Sequence, residues 1–591
     1  MAAAAGPPTA AQATQAAGKA VEGAAKRLRG GEVREGLARI LPPEAGERGG
    51  KRRGGAAAGA AAAEGGAAPE AEDVGGQEVF YNRAQVFNRD TSIAVLRYFE
   101  QRRREEYARG DKHARAHLRE LRKRKQLPAL GAEAAPNGQA AAPKLKILEA
   151  LAASGLRALR YAREVAGVGE VVANDNDAAA VEHIRRNVRH NVEADGELPA
   201  AVTPSLANAQ VLMLQNPKTF DVVDLDPYGT PSMFLDGAVQ TVQDGGLLCV
   251  TATDMAVLCG NSGEVSWSKY GAYSLKGGYC HEMSLRILLA ALEAAAVRHK
   301  RHIVPVLSVS IDFYVRVFVR VFTSPLEAKK SPSKLAYVWK CVGCESTTLQ
   351  RVGRIVQKGN STKHVPGTGP AVGAACEHCG GRFTMGGPIW AEPIHDPEWT
   401  KGILAEAVKI RDRYPAFNKL HSLLTTINEE LVDAPLFMDM HRVSGVLKCT
   451  PCKSELFRSA LANAGYRVSS THCNPHAIKS DAPLKVYWDI MRAWIKDHPV
   501  KPHAKNTPGF NILAQEPETA VDFTRVNRAL SKAKLAKVPR FPQNPEANWG
   551  PRARAYGNPR KGAKREGGPG EGEGAKKPRR EGAEDEGAEF L

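Results

Sequence analysis

Between Lys144 and Phe322, short β-branched runs alternate with amphipathic helical stretches, and this alternation restricts the chain to few folds. A strand that is followed each time by a helix builds a parallel sheet with both faces covered. The spacing predicts strands over Leu145–Leu148, Glu170–Ala173, Ala200–Pro204, Phe220–Leu225 and Gly246–Thr251, then His302–Ser310 and Phe313–Phe322. Only two residues separate the last two, so they pair antiparallel. Helices are predicted over Leu156–Val165, Asp177–Asn191 and His281–Val297; in the second of these, Val181, Ile184 and Val188 share one face. The fold class is therefore α/β, with a Rossmann-like sheet.

In such a sheet, ligands bind outside the carboxyl ends of the strands. The strand Phe220–Leu225 runs into Asp226-Pro227-Tyr228-Gly229. The Asp226 carboxylate and the Pro227 carbonyl can each accept an N–H bond from an amino group on a flat base, while Tyr228 stacks on its face. The first strand-to-helix turn has Gly155 but no GxGxxG, which argues against a bound pyrophosphate. Asp175 ends the second strand, where a carboxylate grips ribose hydroxyls. S-adenosylmethionine, with a ribose and no phosphate, satisfies both observations. On position alone, Asp175 also reads as an ordinary turn residue or helix cap.

The ends differ in composition. Residues 1–73 are Ala/Gly-rich without an aromatic residue, and 544–591 are mostly Gly, Lys, Arg, Glu and Ala. Neither buries enough apolar surface to offset its ordering entropy, so both read as disordered. The folded part divides into 74–325 with a basic insertion over 101–143, a cysteine-bearing segment 326–389, and a C-terminal α/β region 390–543. A net charge of +18 points to a polyanionic partner. Eleven basic residues stand between Gln101 and Pro128 against four acids, as a basic helical arm suited to nucleic-acid contact. No apolar run reaches membrane-spanning length, so no membrane is expected. Lys576-Lys577-Pro578-Arg579-Arg580 reads as a nuclear import signal, with an N-terminal transit segment to a mitochondrion or other organelle as the alternative.

Ten cysteines in a large chain without a secretory signal point to thiols and metal rather than disulfides. Cys341, Cys344, Cys376 and Cys379 form two CxxC knuckles able to close a tetrahedral Zn2+ site, with four unmetallated thiols as the other reading. His378, between two of them, is expected to be exposed. Cys449 and Cys452 with His472, Cys473 and His476 read as core residues rather than a second metal site. Cys280-His281-Glu282 reads as a helix start rather than a nucleophile pair.

Together these motifs resemble the tRNA (guanine-N2)-dimethyltransferases that act on guanosine 26. The resemblance rests on Val79-Phe80-Tyr81-Asn82, Phe87-Asn88-Arg89-Asp90, Glu149 through Arg157, Asn174-Asp175, Asp224 through Gly229, Thr253-Asp254-Met255 with Cys259 through Gly263, and Trp390 through Ile394. It implies a class I methyltransferase sheet, S-adenosylmethionine as cofactor and tRNA as partner, with the chain read as a monomer. It implies that Arg89, Arg157 and Asp175 are cofactor-site residues, that Phe80 and Tyr228 wall the base pocket, and that Asp226 with Pro227 binds the exocyclic amino group. Where the family usually has Asp-Ala near the adenine, this chain has Asn208-Ala209, whose carbonyl can still accept from an amino group without charge assistance. Amino methylation of adenine, and a tRNA chaperone on an inactive scaffold, are the competing readings.

Overall fold

The computed structural model describes residues 26–27, 32–42, 81–123, 142–535 and 537–544, all within one compact unit. Phe80, the basic tail with its import signal, and most of the N-terminal 73 residues lie outside them. The helices needed below are α1 (Val86–Arg109), α2 (Lys112–Lys123), α3 (Leu156–Glu164), α4 (Ala178–Asp195), α5 (Ala209–Gln215) and α6 (Cys280–Arg298). The central sheet comprises β1 (Leu145–Glu149), β2 (Val168–Asp175), β3 (Ala201–Leu206), β4 (Phe220–Leu225), β5 (Val242–Ala252), β6 (Arg301–Ile311) and β7 (Tyr314–Thr323).

The strand order is β3-β2-β1-β4-β5-β7-β6. Pairings from β3 through β5 are parallel, and β7 runs antiparallel to both β5 and β6. The order reverses between β1 and β4, so that point marks the ligand crevice. Every residue of β4 is buried, as a central strand covered on both faces requires. β5 begins at Val242, four residues before its sequence pattern suggests, because Gly245 and Gly246 interrupt the apolar run without ending the pairing.

The structure departs from the sequence pattern in two places. Residues 32–42, placed by composition in a disordered terminus, form a hairpin of Val33–Glu35 and Ala38–Ile40. Val33, Ala38 and Ile40 enter the core beside α1, α3 and α4. The loop ends are held by side chains: Leu37 N donates to Glu164 Oε1 at 3.0 Å and Leu41 N to Asn187 Oδ1 at 3.0 Å. Second, the basic arm is not wholly a surface feature. Arg103 is buried, pairs with Glu106 at 3.2 Å, and lies 3.6 Å from Asp221 at the amino end of β4. Helix α2 packs at that same end, where His113 meets Asp244 at 2.6 Å, and exposes Lys112, Arg115, Arg119, Arg122 and Lys123.

Past the sheet, Leu335–Cys341, Thr347–Arg351 and Phe383–Trp390 form a small antiparallel sheet. Val338, Ile389 and Trp390 share an apolar cluster with β5, β7 and α6. A buried polar clasp joins α6 to a short strand, Ala477–Ser480, and two loops of the C-terminal region. Lys479 lies 3.1 Å from Glu282 and 2.9 Å from Glu430, and Glu430 meets His472 at 2.8 Å. Among the described residues, no helix is long and apolar enough to cross a membrane.

Candidate functional site

The carboxyl end of β4 delivers three consecutive groups in different settings. Asp226 is half-buried, Pro227 is buried, and Tyr228 is 66% exposed. An aromatic ring this exposed beside a buried strand end offers a flat face to solvent. Gly229 turns the chain with φ +82, a conformation that a side chain would strain. Thr253, just past β5, locks the turn: its Oγ1 accepts from Gly229 N at 2.7 Å, and its N donates to Gly229 O at 2.9 Å. Partial desolvation of its hydroxyl, then the Asp226 and Asp175 charges, push Tyr228 above its ordinary pKa although most of the residue is exposed.

Arg157, on the first turn of α3, donates to Asp226 Oδ2. Its other amino group reaches Asn88 Oδ1 at 3.0 Å, Ser92 Oγ at 3.2 Å and Asp224 Oδ2 at 3.4 Å. Asp224 is fully buried and accepts from Tyr161 Oη at 2.5 Å and from Arg316 Nη2 at 2.9 and 2.8 Å. Burial by itself would raise the Asp224 carboxyl, but Arg316 and Arg157 hold it below the usual carboxylate range. Glu149, level with Asp224 across the β1–β4 pairing, is treated oppositely. Burial pushes it up to about 8; Arg157 opposes that shift, and Asp224 and Asp226 add to it.

Asp175 ends β2 half-buried, with Oδ2 accepting from Ala153 N at 2.9 Å and Oδ1 from Asp177 N at 3.1 Å. It therefore also braces the first turn, where Gly155 sits at φ +72 with Ile184 3.1 Å from any Cβ placed there. Asp177, not Asp175, caps α4. Asn208 caps α5 through Oδ1, which accepts from Gln210 N at 2.9 Å and Val211 N at 3.2 Å. The oxygen assigned to an adenine amino group is thus already committed to two backbone donors, and Ala209 is buried behind it. Arg89 lies in a buried pair with Glu35, 2.6 Å from Nε and 2.5 Å from Nη2. Sequence reasoning missed Glu35, Tyr161, Asp224 and Arg316. A visible signal existed for one of these: Arg316 and Arg320 interrupt an otherwise apolar β7, and both are buried.

The four cysteines Cys341, Cys344, Cys376 and Cys379 come together with ligand atoms within 4.8 Å of one another, all buried. Gly343 N and Gly381 N each lie 3.4 Å from a sulfur, Cys341 and Cys379 respectively, as suits thiolates. His378 is buried rather than exposed, and the main chain beside it is tied down by Gln515, which donates to the His378 carbonyl at 3.2 Å and the Glu377 carbonyl at 2.7 Å. Two further clusters are less complete. Cys259, Cys280 and His281 converge with three donors, one short of a closed structural zinc site. His395, Glu430 and His472 converge too, but the Lys479 ammonium already sits 2.9 Å from Glu430, where a cation would bind. Cys449 and Cys452 do not join His472. Helix α6 does start at Cys280. A cleft lined by Arg97, Glu100, Arg104 and Lys409 lies off the amino ends of the strands and takes no part in this site.

Comparison with known proteins shows the family. The family described as N2,N2-dimethylguanosine tRNA methyltransferase matches residues 66–492. The tRNA (guanine(26)-N(2))-dimethyltransferase 1 of Arabidopsis thaliana is 53% identical over 81% of this chain and 85% of its own length. The tRNA (guanine(26)-N(2))-dimethyltransferase of Homo sapiens is 44% identical over 81% of this chain and 75% of its own length. Trm1 from Pyrococcus horikoshii, solved with S-adenosyl-L-methionine, superposes with a TM-score of 0.56 at 27% identity, covering 77% of this chain and 98% of that one. The chain belongs to the N2,N2-dimethylguanosine tRNA methyltransferase family.

Proposed function

We propose that this chain methylates N2 of guanine 26 in tRNA twice, drawing on S-adenosylmethionine, with Asp226, Pro227 and Tyr228 as the base-capturing element. The observation that carries the reading is the pairing of an exposed Tyr228 ring with a half-buried Asp226 carboxylate at the strand end beside Asp175. The cofactor's ribose suits the Asp175 side of the switch point, where Gly155 keeps the first turn close and no phosphate cradle exists. When bound, S-adenosylmethionine supplies the methyl group. We assign Arg89, Arg157, Asn208 and Ala209 to the walls of that pocket, and Phe80 to the base pocket.

The N2 lone pair is delocalised into the purine. Asp226 and the Pro227 carbonyl accept its N–H bonds, draw the nitrogen toward tetrahedral geometry and orient its lone pair for in-line attack. Asp226 also takes the released proton. Tyr228 stacks on the base once it has left its helix. After the first transfer one N–H remains, so one acceptor still suffices for the second.

The four-cysteine knuckle fits a structural Zn2+. The region 390–543 grips the tRNA body through phosphates, the chain acts as a monomer, and its basic tail directs it to the nucleus. The deciding experiment is nucleoside mass spectrometry of unmodified tRNA treated with wild-type and Asp226→Ala protein. Dimethylguanosine with the former and none with the latter supports the assignment. N6-methyladenosine, or wild-type turnover by the variant, overturns it.

A further inference from the structure

We propose that Asp224 is a positioning residue for methyl transfer: it fixes Arg157, and Arg157 in turn aims the Asp226 carboxylate. The inference rests on the reading of Asp226 above and extends it to a side chain that never meets substrate.

Asp224 and Asp226 are two residues apart at a strand end, so the pleat sends both to one side of the sheet. Arg157 and Tyr161 are one helical turn apart on α3 and face them together. Arg316 reaches the same point from β7, its other amino group donating to Thr251 Oγ1 at 2.5 Å. The result is a column in which Asp224, Asp226 and Glu149 meet two guanidinium groups, with Glu149 Oε1 3.5 Å from Arg157 Nε. Asp224 takes four donor contacts, three of them at 2.9 Å or less.

The planarity of arginine makes the column directional. Three acceptors, on Asn88, Ser92 and Asp224, surround one amino group of Arg157. Once that nitrogen is fixed, the plane of the guanidinium is fixed, and the second amino group can point only at Asp226 Oδ2. Among the described residues, Asp226 Oδ1 has no hydrogen-bond partner, which leaves it for the incoming amino group. A charge at 224 is needed because Arg157 and Arg316 both press on this point. An amide there removes the anion that both guanidinium groups share; Glu149 Oε1 stays 3.5 Å from Arg157 Nε, and the Asp226 carboxylate rotates toward the uncompensated charge. Displacement of a reacting group by about an ångström is enough to cost roughly 10²-fold in rate.

The test is steady-state kinetics of Asp224→Asn on tRNA, with calorimetric binding of S-adenosylmethionine and thermal denaturation measured alongside. The expected result is a kcat lowered by roughly 10²-fold, with KM for tRNA and the cofactor Kd each within about threefold of wild type. A kcat within about threefold of wild type overturns the proposal. So does a weakened cofactor Kd with normal kcat at saturation, which would place Arg157 in the service of the cofactor. If Asp224→Asn does not fold, Tyr161→Phe decides, since it removes one donor from Asp224 and keeps the ring packed. A several-fold fall in kcat at unchanged KM supports the proposal, and an unchanged kcat overturns it. Asp226→Ala separates the two levels: an active Asp226→Ala protein sinks the reading of the site itself. An inactive one beside a normal Asp224→Asn protein sinks only the inference.

Discussion

Arg89 and Glu35 form a buried two-point pair, Nε to Oε1 at 2.6 Å and Nη2 to Oε2 at 2.5 Å, which ties helix α1 to the N-terminal hairpin. Arg160 adds a third contact to Glu35 at 2.8 Å, and Tyr81 a fourth at 3.1 Å. Burial alone would raise the Glu35 carboxyl, but Arg89 and Arg160 override it and hold it at about 2. Glu35→Ala leaves two buried cations short of a partner and is expected to cost about 3–5 kcal/mol, read from urea midpoints. Because the folded-state value is depressed, this contribution is present above the ordinary carboxylate value near 4.5 and is lost as pH falls toward 2. A variant with the wild-type midpoint would show that the hairpin is only draped on the surface.

Glu149 titrates in the opposite sense. Its folded-state value of about 8 lies above the ordinary 4.5, so the folded protein holds a proton that the unfolded chain releases. The associated stability is complete below about 4.5 and is lost as pH rises through 8. Glu149→Gln should flatten the decline of stability across that window. Denaturation midpoints at five or six pH values measure it, and an unchanged pH slope would remove Glu149 from the account.

Metal content tests the knuckle. Purified wild-type protein should carry about one zinc per chain, measured by elemental mass spectrometry. Cys376→Ser should bring this near zero and lower the melting temperature, since binding free energy at such a site is also folding free energy. Cys452→Ser should leave the metal in place, because that thiol, though buried, is not among the four that converge.

Helix α2 supplies a test of geometry. Its exposed basic face lies at the amino end of the sheet, whereas Asp226 lies at the carboxyl end. Replacing Lys112, Arg115 and Arg119 together with alanine should change KM for tRNA by less than about twofold and leave its salt dependence intact. Each phosphate contact truly lost would lower the slope of log K against log salt by about 0.9. A drop of two or more would put the arm in the tRNA footprint.

The sheet was legible because each strand and helix carries its own periodicity. Even the antiparallel closing pair could be read, since the two-residue gap before Phe313 permits nothing else. Asp226, Pro227 and Tyr228 could be read as one element because they are consecutive, and Asp175 because strand-end position carries chemistry in an α/β fold. The hairpin at 32–42 carries no clear apolar period, because one of its four inward positions, Val33, Glu35, Ala38 and Ile40, is a carboxylate, and alanine and glycine surround it.

The elements of the sheet, the Asp226-Pro227-Tyr228 strand end proposed to hold the base and the four-cysteine knuckle were all legible in the chain, because local period or spacing encodes each of them. Which charges are compensated depends on packing between distant segments. Glu35 and Arg89 stand 54 residues apart and Asp224 and Arg316 stand 92 apart. A buried charge survives only when its counter-charge arrives with good geometry, and no local pattern records that arrival. Arg157 shows the consequence. The family resemblance implies a cofactor-site role for it, and its aim at Asp226 becomes visible only when β4, α3 and β7 are packed together.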